Sequence, residues 1–118
     1  MISDYEEIVE VAQRYVDGEI NADAELQATA FYEDATIFGV FGENKWGGPI
    51  QKLFEATAAA EPNPEMKARI DVLDIYETVA VVRVVLEGGE GPDYVDYHEL
   101  IKGADGWKIQ SKVFHPIM

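Results

Sequence analysis

Cysteine is absent from the 118 residues of this chain, which excludes disulfide bonds, thiolate catalysis and zinc sites built on sulfur. Basic residues are also scarce, since nine Lys and Arg stand against 23 Asp and Glu for a formal net charge of -14. Nucleic acids and anionic membranes attract proteins through Lys and Arg, so neither partner is expected. No apolar run approaches the ~20 residues of a membrane span, and the first residues do not form a secretory signal, so a cytoplasmic location is expected.

Ligands for metals and nucleotides are equally scarce. The two histidines, His98 and His115, are predicted on opposite faces of neighbouring strands, and no acid-rich calcium loop occurs. The glycine pairs Gly47-Gly48 and Gly88-Gly89 lack the Lys or downstream acid of nucleotide motifs and are interpreted as turns. No metal and no cofactor is therefore expected.

The composition that remains, 47% hydrophobic, is typical of one globular domain spanning residues 1–118. The charge is uneven, because ten of the acids and only one base, Arg14, lie in the first 34 residues. Acids that alternate with an apolar stripe usually form the solvated face of a helix. The alternative is a docking surface for a basic partner.

Three helices are predicted from periodicity and capping signals. The first begins with a Ser3 and Glu6 capping box and stops near Asp17-Gly18. The second extends from about Ala22 to Tyr32, and the third starts with Pro49 at its first position.

Five strands are predicted from β-branched and aromatic runs, at 36–41, 67–76, 79–87, 94–101 and 107–115. The strand from Val79 to Glu87 is apolar on both faces, which indicates a central strand covered on each side. Helices segregated onto one face of a curved, mostly antiparallel sheet give an α+β fold.

The last two strands are separated by Lys102-Gly103-Ala104-Asp105-Gly106, interpreted as an odd-length hairpin loop. With that parity, one face of the hairpin carries Val95, Tyr97, Glu99, Ile101, Trp107, Ile109, Ser111, Val113 and His115. Because this face is mostly apolar, it is expected to look inward. The outer face then carries Tyr94, Asp96, His98, Leu100, Lys108, Gln110, Lys112 and Phe114.

Asp96, His98 and Lys112 form a polar patch on that second face, and a contact between Asp96 and Lys112 is predicted either directly or on the diagonal. The favoured interpretation is a cross-strand ion pair on the outside of the sheet. The patch could instead supply a general base, an acid and an anion clamp. Tyr94 and Phe114 beside it suggest a third use, as a contact with a second copy of the chain.

Several segments resemble the nuclear transport factor 2-like superfamily, and within it the putative lumazine-binding, or SnoaL-like, branch of small bacterial proteins. They are Phe31-Tyr32-Glu33-Asp34-Ala35, Tyr94-Val95-Asp96-Tyr97-His98-Glu99-Leu100, Gly106-Trp107-Lys108-Ile109 and Lys112-Val113-Phe114-His115. The resemblance covers essentially the whole chain. It implies a cone-shaped, cystatin-like α+β fold with an internal pocket, in a superfamily that includes isomerases, dehydratases, cyclases and transport factors.

A pocket of this kind would be lined by residues from the apolar faces and would take a small apolar or aromatic molecule. The implied lining residues are Tyr15, Phe31, Phe38, Trp46, Phe54, Tyr97 and Ser111. Trp46 is the strongest of them, because it is predicted in a loop where periodicity does not require burial.

Three functions are compatible with these observations. The preferred one is a small-molecule-binding homodimer of unknown specific role, with Asp96, His98 and Lys112 outside the pocket. The second is an isomerase or dehydratase that uses Tyr15, Asp96 and His98 inside it, which requires a pocket carboxylate and a hydroxyl donor. The third is an acidic protein-interaction module. The side-chain directions of Asp96 and His98 distinguish the first two.

Overall fold

In the computed structural model, which describes residues 1–117, three helices pack on one face of a six-stranded sheet. The helices are α1 (Ile2–Asn21), α2 (Ala24–Ala28) and α3 (Gln51–Ala58). The strands are β1 (Phe31–Phe41), β2 (Asn44–Pro49), β3 (Lys67–Tyr76), β4 (Val79–Glu87), β5 (Asp93–Gly103) and β6 (Gly106–Ile117). Their order is β2-β1-β6-β5-β4-β3, in which only the β1–β6 pair is parallel. The predicted α+β fold is confirmed.

The first helix is longer than predicted. It continues through Gly18 to Asn21 and ends on Ala22, which has a left-handed conformation with φ 51°. Gly18 instead allows close packing, because a Cβ there would lie 2.5 Å from the Cβ of Gln27 in α2. The expected Ser3 capping bond is absent from the start of the helix.

The second helix is much shorter than predicted. Asp23 caps α2 by accepting a 3.1 Å hydrogen bond from the Leu26 amide, and the helix ends at Ala28. Phe31 and Tyr32 belong to β1, where Phe31 pairs with Ile109 of the parallel neighbour β6. A long-range ladder therefore overrides the local helical spacing.

The glycine-rich segment Asn44–Pro49 is a strand, β2, so the predicted turn at Gly47-Gly48 and the predicted helix start at Pro49 are wrong. It pairs with β1, and Gly47 (φ 153°) lies where a Cβ would collide with the Ile37 carbonyl oxygen. Trp46 is consequently on an edge strand rather than in a loop.

Strands β3 and β4 have the predicted bounds. The prediction that β4 is a central strand covered on each side holds in part: β4 lies inside the sheet between β5 and β3, but only one of its faces is fully covered. Its other face is partly exposed. The buried face consists of Ala80, Val82, Val84 and Leu86.

In the β5–β6 hairpin, the side chains of β5 and of the part of β6 beyond Gln110 lie on the opposite faces from those predicted. Gly103 pairs with Gly106, so the turn has two residues, and a bulge at Gln110 shifts the register farther along β6. The inner face carries Asp96, His98, Leu100, Trp107, Ile109, Lys112 and Phe114, all buried. The outer face carries Tyr97, Glu99, Ile101, Ser111, Val113 and His115. The inner-face placement of Trp107 and Ile109 is confirmed, whereas that of Tyr97, Glu99 and Ser111 is wrong.

Helix α1 is fixed to this hairpin through two of its acids. Asp4 accepts hydrogen bonds from Trp107 Nε1 at 3.0 Å and from Lys102 Nζ at 2.8 Å, and Glu7 accepts the Trp107 amide at 2.7 Å. The hydrogen bond from Lys102, followed by that from Trp107, lowers the pKa of Asp4 to about 2. Part of the N-terminal acidity therefore orients α1 on the sheet.

No helix within residues 1–117 has the length and apolar character needed to cross a membrane.

Candidate functional site

A cavity of about 330 Å³ lies between the helices and the inner face of the sheet. Its apolar lining consists of Ile37, Phe41, Trp46, Leu53, Ala56, Ala60, Leu86 and Phe114. Its polar lining consists of Tyr15, Glu19, Thr57, Tyr94 and Lys112. A mostly apolar wall with a few convergent polar groups is the usual form of a small-molecule site.

Three side chains converge on one buried oxygen, Oδ2 of Asp96, beneath the polar side of this cavity. The Tyr15 hydroxyl donates to it at 2.7 Å, His98 Nε2 lies 3.4 Å from it, and Lys112 Nζ lies 3.7 Å from it. Lys112 pairs directly with His98 in the ladder and lies diagonal to Asp96. The predicted contact between Asp96 and Lys112 is confirmed, but inside the protein.

Tyr15, Asp96, His98 and Lys112 form a buried cluster, and each of them lies in a helix or strand that sets its position. Asp96 and His98 are two positions apart on β5, so they point the same way, and the Gln110 bulge brings Lys112 to that face. Tyr15 comes from the buried stripe of α1. Its ring makes an edge-on contact with the His98 ring, with 4.7 Å between centroids.

Burial and charge together set the protonation of the cluster. Burial alone would raise the pKa of Asp96, but the opposing effects of Lys112, His98 and Tyr15 outweigh it, and the pKa lies below its ordinary 3.8. Burial, then the charges of Asp96 and Glu19, hold the pKa of Tyr15 well above 10.0. At neutral pH an ionised Asp96 therefore faces a neutral Tyr15.

Burial also lowers the pKa of His98 below its ordinary 6.5, with Lys112 acting in the same direction and Asp96 opposing. In an acidifying solution the unfolded chain therefore binds a proton at this position before the folded protein does. Stability that is fully present above pH 6.5 should be lost as the pH falls toward the folded-state pKa.

We expect His98→Gln to reduce the loss of free energy of unfolding as the pH falls below 6.5, because it removes the group that binds a proton more readily in the unfolded chain. The difference between wild type and variant should be about 1.4 kcal/mol for each unit that separates the folded and unfolded pKa values. Urea denaturation at several pH values measures this slope. His115→Gln is the matched control, because His115 is exposed on the outer face and should leave the slope unchanged. Equal slopes in wild type and His98→Gln would contradict the assignment.

Lys112 is the single cation among the residues that line the cavity. Its side chain is 7% exposed, and Nζ lies 5.2 Å from the ring centroids of both Tyr15 and Phe114. Glu19 is the single anion of the lining, and its Oε1 accepts from Gln27 Nε2 at 2.9 Å. The Thr57 hydroxyl lies 3.4 Å from the same oxygen and donates to Gln27 Oε1 at 2.7 Å. An ammonium and a carboxylate are thus the two charged groups in the wall of a mostly apolar cavity.

Two of the predicted pocket residues, Tyr15 and Trp46, line the cavity. Phe31 lies behind the wall, stacked edge-on against Tyr15 and Phe54. Phe38 points to the opposite face of β1 from the cavity-lining Ile37, with Lys45 Nζ 4.9 Å from its ring centroid.

Tyr97 and Ser111 lie on the outer face of the sheet, where Ser111 Oγ donates to Glu99 at 2.6 Å. The prediction that they line the pocket requires an odd-length loop and unbroken alternation along β6, whereas the turn has two residues and β6 has a bulge at Gln110. For the same reason, the prediction that Asp96, His98 and Lys112 lie outside the pocket is wrong. The preferred hypothesis from the sequence included that placement. Glu19 was not identified as a site residue, since its spacing in α1 resembles that of the solvent-facing acids.

Comparison with known sequences gives a family match over nearly the whole chain. The model of the family described as putative lumazine-binding matches residues 3–115. The aldolase FrzH from Cladobotryum sp is 31% identical over 115 residues, which cover 96% of this chain and 91% of that protein.

Comparison with solved structures gives the same fold. A nuclear transport factor 2-like protein of unknown function from Shewanella baltica is 38% identical, with a TM-score of 0.91 and coverage of 97% of this chain and 94% of that one. Another from Methylobacillus flagellatus is 32% identical, with a TM-score of 0.92 and coverage of 100% and 95%. A ketosteroid isomerase-like protein from Erwinia carotovora atroseptica shares the fold at 21% identity, with a TM-score of 0.74 and coverage of 94% of each chain.

Proposed function

Because this chain belongs to the putative lumazine-binding family of nuclear transport factor 2-like proteins, a small-molecule-binding fold, we propose that it is an enzyme acting on a carbonyl compound. The proposed reaction removes a proton from the carbon next to the carbonyl group, without a cofactor. This step is common to isomerases, dehydratases and aldolases, and a relative 31% identical to the chain is an aldolase. The expected substrate is a small aldehyde or ketone with an apolar or aromatic body.

The observation that carries the proposal is the Tyr15 and Lys112 pair at the polar side of an apolar cavity. Both side chains line the cavity and both are held by the buried Asp96. Placed at a carbonyl group, a hydroxyl donor and a cation stabilise the negative charge that develops on the oxygen when the neighbouring carbon loses a proton. Asp96 and His98 lie behind this pair, where Asp96 contacts both side chains and the His98 ring packs edge-on against Tyr15.

Glu19 is the proton acceptor that we assign. It is a carboxylate on the cavity wall, and the hydrogen bond that it accepts from Gln27 uses only Oε1. The second oxygen, Oε2, is therefore suited to receive the proton. Fixing the carboxylate through one oxygen also orients the other, which favours proton transfer over random collision.

The proposal is tested by hydrogen exchange on carbon. Hydrocinnamaldehyde or benzylacetone is incubated with the protein in heavy water, and loss of the proton signal next to the carbonyl is followed by nuclear magnetic resonance. We expect Tyr15→Phe to slow this exchange by about 10²-fold, as removal of a single oxyanion donor does in other enzymes. Tyr76→Phe, at an exposed tyrosine that ends β3, is the matched control. Wild-type exchange no faster than with heat-denatured protein would refute the proposal.

We also propose that the protein acts as a homodimer through the outer face of the sheet. Tyr97 pairs with Val113 across the β5–β6 ladder, and Val79 pairs with Ile101 across the β4–β5 ladder. All four residues are between 39% and 51% exposed and form two apolar patches on adjacent strands, with Glu99 and Ser111 between them. Sedimentation velocity should show a dimer that Val113→Asp converts to a folded monomer. A wild-type monomer at all concentrations would contradict this.

A further inference from the structure

We propose that Lys112 bonds covalently to the substrate, as an iminium between Nζ and the carbonyl carbon. This inference rests on the proposed carbonyl chemistry and specifies how Lys112 takes part in it. An iminium draws electrons from the neighbouring carbon more strongly than a neutral carbonyl does, so it makes loss of that proton easier.

The position of Lys112 suits a nucleophile. Among the residues that line the cavity it is the single amine, and its side chain is almost entirely buried, at 7% exposure. Phe114 and Tyr15 flank Nζ at 5.2 Å, so little water competes for the reacting atom. A lysine in a desolvated apolar pocket is a recurring arrangement for Schiff-base formation.

The charge on Asp96 suits every stage of this reaction. Lys112 begins as an ammonium 3.7 Å from Asp96 Oδ2 and ends as an iminium that carries the same single positive charge. At the start and at the end of the reaction the buried carboxylate therefore faces a cation. In between, when Asp96 has taken a proton, the amine is neutral as well, so no buried ion is left unpaired. A neutral product on Lys112, such as an amide, would leave Asp96 unpaired, which restricts the chemistry to aldehydes and ketones.

The step balances with the groups present. Asp96 takes one proton from the ammonium, and the Nζ lone pair then forms a bond to the carbonyl carbon while the carbonyl π electrons move to oxygen. Tyr15 donates its proton to that oxygen and is reprotonated through Asp96, to which it is hydrogen-bonded at 2.7 Å. The second proton from nitrogen follows the same route, and the carbon–oxygen bond breaks to release water. Two hydrogens of the ammonium thus leave with the oxygen, and one remains on the iminium nitrogen.

Trapping by reduction tests the inference directly. The full chain is incubated with hydrocinnamaldehyde and sodium cyanoborohydride, and peptide mass spectrometry then locates and counts the reduced adducts. We expect Lys112 to be labelled at least about tenfold faster than any exposed lysine, because it is desolvated and held at the cavity.

Lys112→Arg is the informative variant, because it keeps a cation opposite Asp96 but removes the nucleophilic amine. It should abolish the cavity adduct, while Lys108→Arg on the same strand should keep it. Circular dichroism and thermal unfolding verify that both variants fold.

The possible results separate the inference from the proposed function. A reduced adduct that forms on Lys112 at least about tenfold faster than on the exposed lysines supports the inference. Carbon exchange in wild type without any Lys112 adduct overturns the iminium but leaves the proposed enzyme intact. Equal labelling of Lys112 and the exposed lysines also overturns it. Absence of both exchange and adduct refutes both proposals.

Discussion

Replacing Asp96 with asparagine is expected to lower the free energy of unfolding by about 3–5 kcal/mol, the usual cost of removing one partner of a buried ion pair. Asparagine has nearly the same shape, so the loss comes from charge rather than from packing. Lys112 would remain a cation in a site of 7% exposure with no carboxylate opposite it. Tyr15 would also exchange a charged acceptor at 2.7 Å for a neutral one. Urea denaturation at neutral pH measures the difference.

A double-mutant cycle identifies the cause of this loss. Asp96→Asn combined with Lys112→Met leaves no charge in the cluster, and we expect the double variant to be more stable than the sum of the two single losses predicts. Asp71→Asn is the matched control for a surface pair. Arg69 Nε lies 2.9 Å from Asp71 Oδ2, and the Arg69 side chain is 77% exposed. That control should cost no more than about 1 kcal/mol. A similar small cost for Asp96→Asn would show that the buried pair is not a strong contributor.

Lys112→Met should have the largest effect on activity, a loss of at least about 10³-fold in the rate of carbon exchange, since it removes both a cation and an amine at the reacting group. Methionine has a similar length and packs well against aromatic rings, so the walls formed by Tyr15 and Phe114 should be retained. Nuclear magnetic resonance of the exchange reaction measures the rate.

Ligand binding distinguishes lost chemistry from a collapsed cavity. Trp46 lines the cavity, so its fluorescence should still respond to a neutral apolar ligand such as ethylbenzene in the Lys112→Met variant. Lys108→Met, on the same strand, should leave both exchange and binding unchanged. Exchange at the wild-type rate in Lys112→Met would exclude this lysine from the reaction.

The elements that could be predicted from the sequence are those whose pattern is local. Strands β3 and β4 have the predicted bounds because β-branched alternation and flanking turns are both present within the segment. The end of the second helix could not be predicted in the same way. Phe31 has helical spacing with respect to its neighbours, and only its pairing with Ile109, far along the chain, makes it part of a strand.

The sequence predicted several residues of the candidate site, but it did not predict the face of the sheet on which the Asp96 and Lys112 contact lies. Tyr15 and Trp46 follow from the implied pocket, and the contact of Asp96 with Lys112 follows from strand pairing. The inward direction of that contact depends on a two-residue turn and on one bulged residue, Gln110. A bulge has no strong sequence signature here, and an error of one residue moves every side chain beyond it to the other face.

The bulge at Gln110 divides β6 into two halves. The inward and outward alternation of side chains in one half is offset by one residue from that in the other. The half next to the turn holds Trp107, which anchors α1, and the distal half holds Lys112, which faces the cavity. Because alternation is interrupted between them, deletion of one residue at this point could keep only one of these side chains on the inner face. The spacing between Trp107 and the cavity-lining Lys112 is thus constrained independently of residue identity. Insertions and deletions in β6 should therefore be tolerated less well than substitutions at most of its exposed positions.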